Sequence, residues 1–107
     1  MAPTLNIEIK GIPQIIPTNI GISGAHYPIH THDSTGTLHY ENQQPTFENM
    51  RLGYFFKIWG KKFSSICIFD YCNGNDGSIK MFVNGKENLD FENYIPKDKD
   101  EIRIGFS

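Results

Sequence analysis

The sequence predicts an α+β fold, with a single helix packed on a mixed or antiparallel sheet in a β-grasp-like arrangement. Apolar and polar residues alternate near both ends of the chain, at residues 5–10 and 101–106, as is typical of half-buried strands. Between them, residues 52–59 carry apolar side chains at the spacing of a helix. An early hairpin, a central helix and a late final strand together favour the β-grasp-like order.

Further strands are predicted from short alternating runs that are bounded by turn residues. Residues 12–17 predict a return strand, and their prolines favour the edge of a sheet because proline cannot donate to a strand ladder. Three more runs predict strands at residues 35–41, 64–70 and 78–83. In the second of these runs, Ile66 and Ile68 are expected to face the core. Asn84 and Gly85 predict a tight turn after the third run.

A change of period marks the predicted helix, within residues 49–60. Its apolar stripe follows the i, i+3, i+4, i+7 spacing, in the order Leu52, Phe55, Phe56 and Trp59. Gly60 stands where a helix C-terminal cap belongs.

Size and charge exclude several classes of function. The chain of 107 residues suits a single domain, residues 1–107. Its formal net charge is -2 and it has no basic stripe, so nucleic-acid binding is not expected. No apolar run approaches the roughly 20 residues of a transmembrane helix. Residues 1–10 lack the features of a signal peptide, so we expect either a cytoplasmic protein or one from which a leader or anchor was removed.

The two cysteines, Cys67 and Cys72, lie close together in the sequence. Their spacing does not match the usual Cys-x2-Cys zinc hairpin. A strand that ends in a tight turn would bring them within reach of a disulfide, which would indicate an oxidising compartment. The alternative is two ordinary thiols.

All four histidines lie within residues 26–39, at His26, His30, His32 and His39. His30 and His32 are expected to face the same side of an extended chain, because residues two apart do so. Asp33 begins a segment with turn chemistry, which would fold His39 back beside this pair. Three converging neutral imidazoles suit Zn, Cu or Ni, and a site without Cys or Met does not select Cu(I).

Other polar side chains near the histidines have predicted secondary roles. His26 is a reserve ligand. Asp33 and Glu41 are candidates to support a ligand from outside the site, by accepting the other N–H of an imidazole. The alternative is a solvated surface loop, or histidines that hydrogen-bond the loop together without a metal.

Catalytic interpretations meet specific obstacles. The segment from Gly24 to His32 fits the opening of the cupin signature, but Gly36 and Thr37 stand where that signature has a glutamate. No nucleophile is paired with a base in the manner of a catalytic triad. The C-terminus also lacks the Gly-Gly of ubiquitin-like and sulfur-carrier proteins. An enzyme is therefore the less favoured class, and a metal-dependent one would need an open coordination position and a substrate pocket.

Motifs spread over nearly the whole chain resemble a family of small bacterial and archaeal domains with no established activity. The motifs are PTNIGI, HTHDSTGTLHYE, LGYFFKIWG, the cysteine pair and MFVNGKE. Members of this family are usually exported or attached to a membrane, so the resemblance implies an extracytoplasmic location. Members often carry a further His-x-His on the first strand, whereas this chain has Ala2 and Thr4 at those positions.

Two functional hypotheses follow. The first is a non-catalytic domain that binds a divalent metal, Zn or Cu, through His30, His32 and His39. The second is a protein–protein interaction or assembly module, in which the histidine loop is structural. Its partner chain would bind an edge strand and exposed aromatic residues such as Tyr27, Tyr40 and Tyr94.

Overall fold

The computed structural model describes residues 1–22 and 29–107. In that part of the chain the strands are β1 (Thr4–Ile9), β2 (Ile12–Gln14), β3 (Ile29–His30), β4 (His39–Tyr40), β5 (Cys67–Ile68), β6 (Tyr71–Cys72), β7 (Ile79–Val83), β8 (Lys86–Glu87) and β9 (Glu101–Phe106). The α-helices are α1 (Phe47–Met50) and α2 (Leu52–Trp59), and a short 3₁₀ helix spans Phe91–Asn93.

Five strands form the main sheet, in the order β2-β1-β9-β7-β8. The central pair, β1 and β9, is parallel, with Ile7 opposite Ile104, and the other pairs are antiparallel. The sheet is therefore mixed, and the predicted α+β class is confirmed. The pairs β3-β4 and β5-β6 form two separate two-stranded ribbons.

The core lies on one face of this sheet. Alternate residues of β1, β7 and β9 are buried and pack in one cluster with the aromatic stripe of α2. The fully buried members include Leu5, Ile7, Met81, Ile102, Ile104, Leu52, Phe55 and Phe56. The intervening strand residues, such as Asn6, Glu8 and Arg103, are exposed on the opposite face. This alternation is the pattern expected when a sheet packs on a helix with one face and meets solvent with the other.

The predicted single helix is divided in two. Thr46 caps α1 through a reciprocal pair of hydrogen bonds with Asn49. Arg51 then adopts an extended conformation (ψ 151°) and ends that turn before α2 begins. Gly60 is in the left-handed region and its N–H donates to the Phe56 and Lys57 carbonyls, so the predicted C-terminal cap is confirmed.

Two predicted side-chain orientations are wrong. Ile66 was expected in the core, but it precedes β5 and is 58% exposed, while Cys67 and Ile68 are buried. The N–H groups of Ile66 and Cys67 both donate to the Ser64 hydroxyl, so this segment is a turn without strand alternation. Tyr40 was expected to be exposed for a partner, but it is only 6% exposed because it belongs to the core.

Cys67 and Cys72 form a disulfide across the β5-β6 hairpin, where they are directly paired. The turn of this hairpin begins at Phe69, which has a positive φ. The Phe69 ring lies edge-on to the Trp59 ring. The bond therefore fastens a turn that packs against α2.

Removing this disulfide is expected to lower the free energy of unfolding by about 2 kcal/mol, the value for closing a loop of this length in the unfolded chain. Urea unfolding of the Cys67→Ser, Cys72→Ser double variant would measure the change. Reductant should lower the midpoint of the wild type and leave that of the variant unchanged. A wild-type midpoint that does not move under reducing conditions would contradict this expectation.

Candidate metal centre

The β3-β4 ribbon brings the histidine-bearing segments together. The two strands are antiparallel, and His30 is directly opposite His39. The bend between them begins at Asp33, whose Oδ1 accepts hydrogen bonds from the Thr35 N–H (3.1 Å) and hydroxyl (2.6 Å). The predicted turn after Asp33, and the return of His39 to the side of His30, are confirmed.

Gly36 attaches this bend to the main sheet. Its carbonyl accepts a hydrogen bond from the Leu5 N–H at 2.8 Å, and its φ is +84°. A Cβ at this position would lie 2.3 Å from the Leu5 carbonyl oxygen. Only glycine fits at this position. Other residues are strained at this φ, and their Cβ would meet a backbone atom that cannot move aside.

Thr31, between the two histidines of the His-x-His pair, is anchored from the opposite side. It is fully buried, and its hydroxyl donates to the Pro17 carbonyl (2.8 Å) and accepts from the Ile20 N–H (3.0 Å). Its own N–H donates to the Ile20 carbonyl. With Thr31 held in the core in this way, His30 and His32 both turn to the other side of the chain.

Three ligand-type atoms converge at this side of the ribbon. His30 Nε2 lies 3.0 Å from His32 Nε2 and 3.3 Å from Glu41 Oε1. Nitrogen and carboxylate oxygen atoms of all three residues lie within 4.8 Å of one another, so the group could hold a metal ion. The His30 side chain is fully buried, whereas that of Glu41 is 61% exposed. One candidate ligand therefore comes from the interior, and the other two residues approach from the surface.

His39 lies beside this group. Its ring is stacked on that of His30, with centroids 5.8 Å apart, and meets the His32 ring edge-on at 4.7 Å. Glu41 is two residues further along the same extended segment, which places it on the same face. The sequence predicted His39 as the third ligand and Glu41 as a residue that supports a ligand. The three-residue group contains Glu41 in that third place.

The pKa of the His39 imidazole is lowered. Burial is the main cause, and the nearby His32 and His30 lower it further. The carboxylates of Asp33 and Glu41 act in the opposite direction but do not offset these effects. His39 therefore stays neutral to a lower pH than a free imidazole, and the neutral form is the one that binds metals.

The other predicted site residues stand as follows. The hydrogen bonds of Asp33 go to Thr35, whose hydroxyl and N–H lower the pKa of the Asp33 carboxyl. Its predicted contact with an imidazole remains a prediction. His26 lies outside the described residues, as does Tyr27. Sequence reasoning missed Thr31 as a positioning residue, because a threonine carries no signal of which loop it will bond.

Fold and site together define a small α+β domain with a histidine–glutamate group that could bind a metal, and with a disulfide at a separate hairpin. Among residues 1–22 and 29–107, no helix has the length and apolar character needed to cross a membrane. Comparison with known protein families, with curated proteins and with solved structures found no match to this chain.

Proposed function

We propose that this chain is a small metal-binding domain that holds a divalent ion between His30, His32 and Glu41. Two ligands that each lie 2.0–2.1 Å from a tetrahedral zinc ion are about 3.3 Å apart. The observed distances of 3.0 Å and 3.3 Å from His30 Nε2 are close to this value. This agreement is the observation that carries the proposal, since it places one atom of His32 and one of Glu41 at ligand spacing from His30 Nε2.

The donor atoms favour zinc or Cu(II). Imidazole and carboxylate ligands suit these ions, and the group contains neither of the sulfur ligands that select Cu(I). His39 is our candidate for a fourth ligand, because its ring lies within 6 Å of both histidine rings of the group. His26 remains a reserve ligand on the sequence alone.

Two broader features belong to the same proposal. The strand order β2-β1-β9-β7-β8, with a parallel central pair, supports a β-grasp-like arrangement. The Cys67–Cys72 disulfide supports an oxidising, extracytoplasmic location, because such bonds are rare in reducing compartments. The resemblance to exported or membrane-attached domains points in the same direction. We propose a role in metal binding without catalysis.

Calorimetric titration of the untagged protein with Zn(II) and Cu(II) tests the proposal. We expect one ion per chain, and an affinity that falls as the pH is lowered, because protons compete with the metal for imidazole nitrogens. Metal analysis of protein purified without a histidine tag would give an independent stoichiometry. Absence of saturable binding of either ion at neutral pH would contradict the proposal.

An interaction module is the second candidate, and it is favoured by the edge strand β2. Ile12 is 64% exposed on this strand and Ile15, just beyond it, is 79% exposed. Such side chains next to an open strand edge can receive a partner strand. Size-exclusion chromatography of the metal-free protein distinguishes the candidates, because self-association that Ile15→Lys abolishes would favour the module.

A further inference from the structure

The polar face of the main sheet contains a depression that is separate from the β3-β4 ribbon and its histidines. Its volume is about 340 Å³, which is within the range of small-ligand sites. Its lining residues come from β1, β7, β9 and the turn after β7, and they are Thr4, Asn6, Phe82, Gly85, Glu101, Ile102 and Arg103. Most of these residues offer a polar or charged group, so the depression suits a polar ligand.

The cation of this surface is Arg103. Arg103 is opposite Asn6 on one neighbouring strand and opposite Phe82 on the other. Its guanidinium carbon lies 5.2 Å from the centroid of the Phe82 ring, which braces the side chain. Within the described part of the chain, Arg103 forms no ion pair with a carboxylate. A guanidinium and an adjacent amide together form a suitable binding site for a carboxylate.

An acidic side chain shares this face with Arg103. Glu101 precedes Arg103 by two residues on β9, so both side chains emerge on the same face from Cα atoms about 7 Å apart. Thr4 is opposite Glu101 and adds a hydroxyl. These two flexible side chains of opposite charge suit a ligand that carries a carboxylate and an ammonium group on one carbon.

The rim of the depression is held in place by the chain itself. Asn84, which precedes Gly85 in the β7-β8 turn, donates to Asp100 Oδ1 (2.9 Å) and accepts from the Glu101 N–H (2.9 Å). Asp100 is buried and also accepts hydrogen bonds from the Tyr94 hydroxyl and the Lys97 N–H. These hydrogen bonds fix the turn to the start of β9.

We propose that this surface is a second binding site, for a small zwitterion of the α-amino acid class. Arg103 and Asn6 bind the ligand carboxylate, and Glu101 binds its ammonium group. Phe82 contacts the apolar part of the ligand. This proposal is independent of the metal site, since the two share no residue.

An NMR titration of the ¹⁵N-labelled protein tests the proposal, with L-alanine as the probe. We expect saturable shifts of the Asn6, Gly85 and Arg103 amides, with a Kd of about 10 mM or lower for so small a ligand. Acetate and ethylamine, which carry one charge each, should bind at least about tenfold more weakly. Absence of saturable shifts, or equal affinity for alanine and acetate, would overturn the proposal.

Two exposed substitutions separate the roles of the charges without disturbing the core. Arg103→Met should weaken alanine binding at least about tenfold, because the carboxylate loses its charged partner. Glu101→Gln should weaken alanine binding but leave acetate binding unchanged or stronger. Lys57→Met, which removes an exposed cation from α2, is the matched control and should change nothing. Equal alanine affinity in the wild type and in both site variants would refute the proposal.

Discussion

Replacing His32 with alanine is expected to lower the affinity for Zn(II) by more than about 100-fold. Loss of an outer-shell partner of a metal ligand typically costs 10- to 100-fold, and loss of a ligand itself should cost more. His32 is exposed, so its removal opens no cavity in the core. Competition against a chromophoric chelator at neutral pH would measure the change.

Two further variants make this expectation specific to the site. Glu41→Gln removes the carboxylate charge with little change of shape and should also weaken zinc binding, by at least about tenfold. Gln43→Ala alters an exposed residue of the same segment and should leave the affinity unchanged. Equal titrations of the wild type and His32→Ala would contradict the assignment of His32 as a ligand.

Replacing Gly36 with alanine is expected to destabilise the protein by about 3 kcal/mol or more. A left-handed φ costs a non-glycine residue about 1–2 kcal/mol. The new Cβ would also lie 2.3 Å from the Leu5 carbonyl oxygen, and overpacking of this kind adds about 1–3 kcal/mol. Urea unfolding, followed by circular dichroism, would measure the difference.

Gly11 provides the matched control for this substitution. Its φ of +80° is nearly the same as that of Gly36, but a Cβ at Gly11 meets no atom within 4 Å. Gly11→Ala should therefore show only the backbone cost, about 1–2 kcal/mol. The difference between the two variants isolates the cost of placing a Cβ against the Leu5 carbonyl. Equal losses of stability would contradict the expected overpacking at Gly36.

Periodic parts of the fold could be predicted from the sequence because burial imposes their pattern. Leu5, Ile7 and Ile9 alternate since one face of β1 is in the core, and the same holds for β9. The interruption of the helix at Arg51 could not be predicted in this way. It depends on a local competition, in which the Thr46 cap builds one short helix before the stripe of α2 begins.

The shortest strands could not be predicted from the periodicity of the sequence either. β3 and β4 have two residues each, too few to show alternation, and their pairing follows from the turn at Asp33. The chemistry of that turn is visible in the sequence, so His39 could be placed beside His30. The attachment through Gly36 to Leu5 depends on a contact between distant parts of the chain, which one sequence alone does not reveal.

The composition of the candidate site was predicted only in part. The His30–His32 pair could be found because residues two apart on an extended segment share a face. The approach of Glu41 to His30 results from the cross-strand geometry of the ribbon, and alternation gives His39 and Glu41 the same orientation. Which of the two side chains joins His30 and His32 in the three-residue group depends on side-chain rotamers, which sequence patterns do not encode.

A crystal soaked in Zn(II) and measured at the zinc absorption edge would show whether the β3-β4 ribbon binds a metal. We expect one anomalous peak per chain about 2 Å from His30 Nε2, His32 Nε2 and a Glu41 carboxylate oxygen. The same crystal form of the His32→Ala variant should lose that peak. A wild-type crystal with no anomalous peak at the β3-β4 ribbon, or with zinc bound only at unrelated surface residues, would contradict the account.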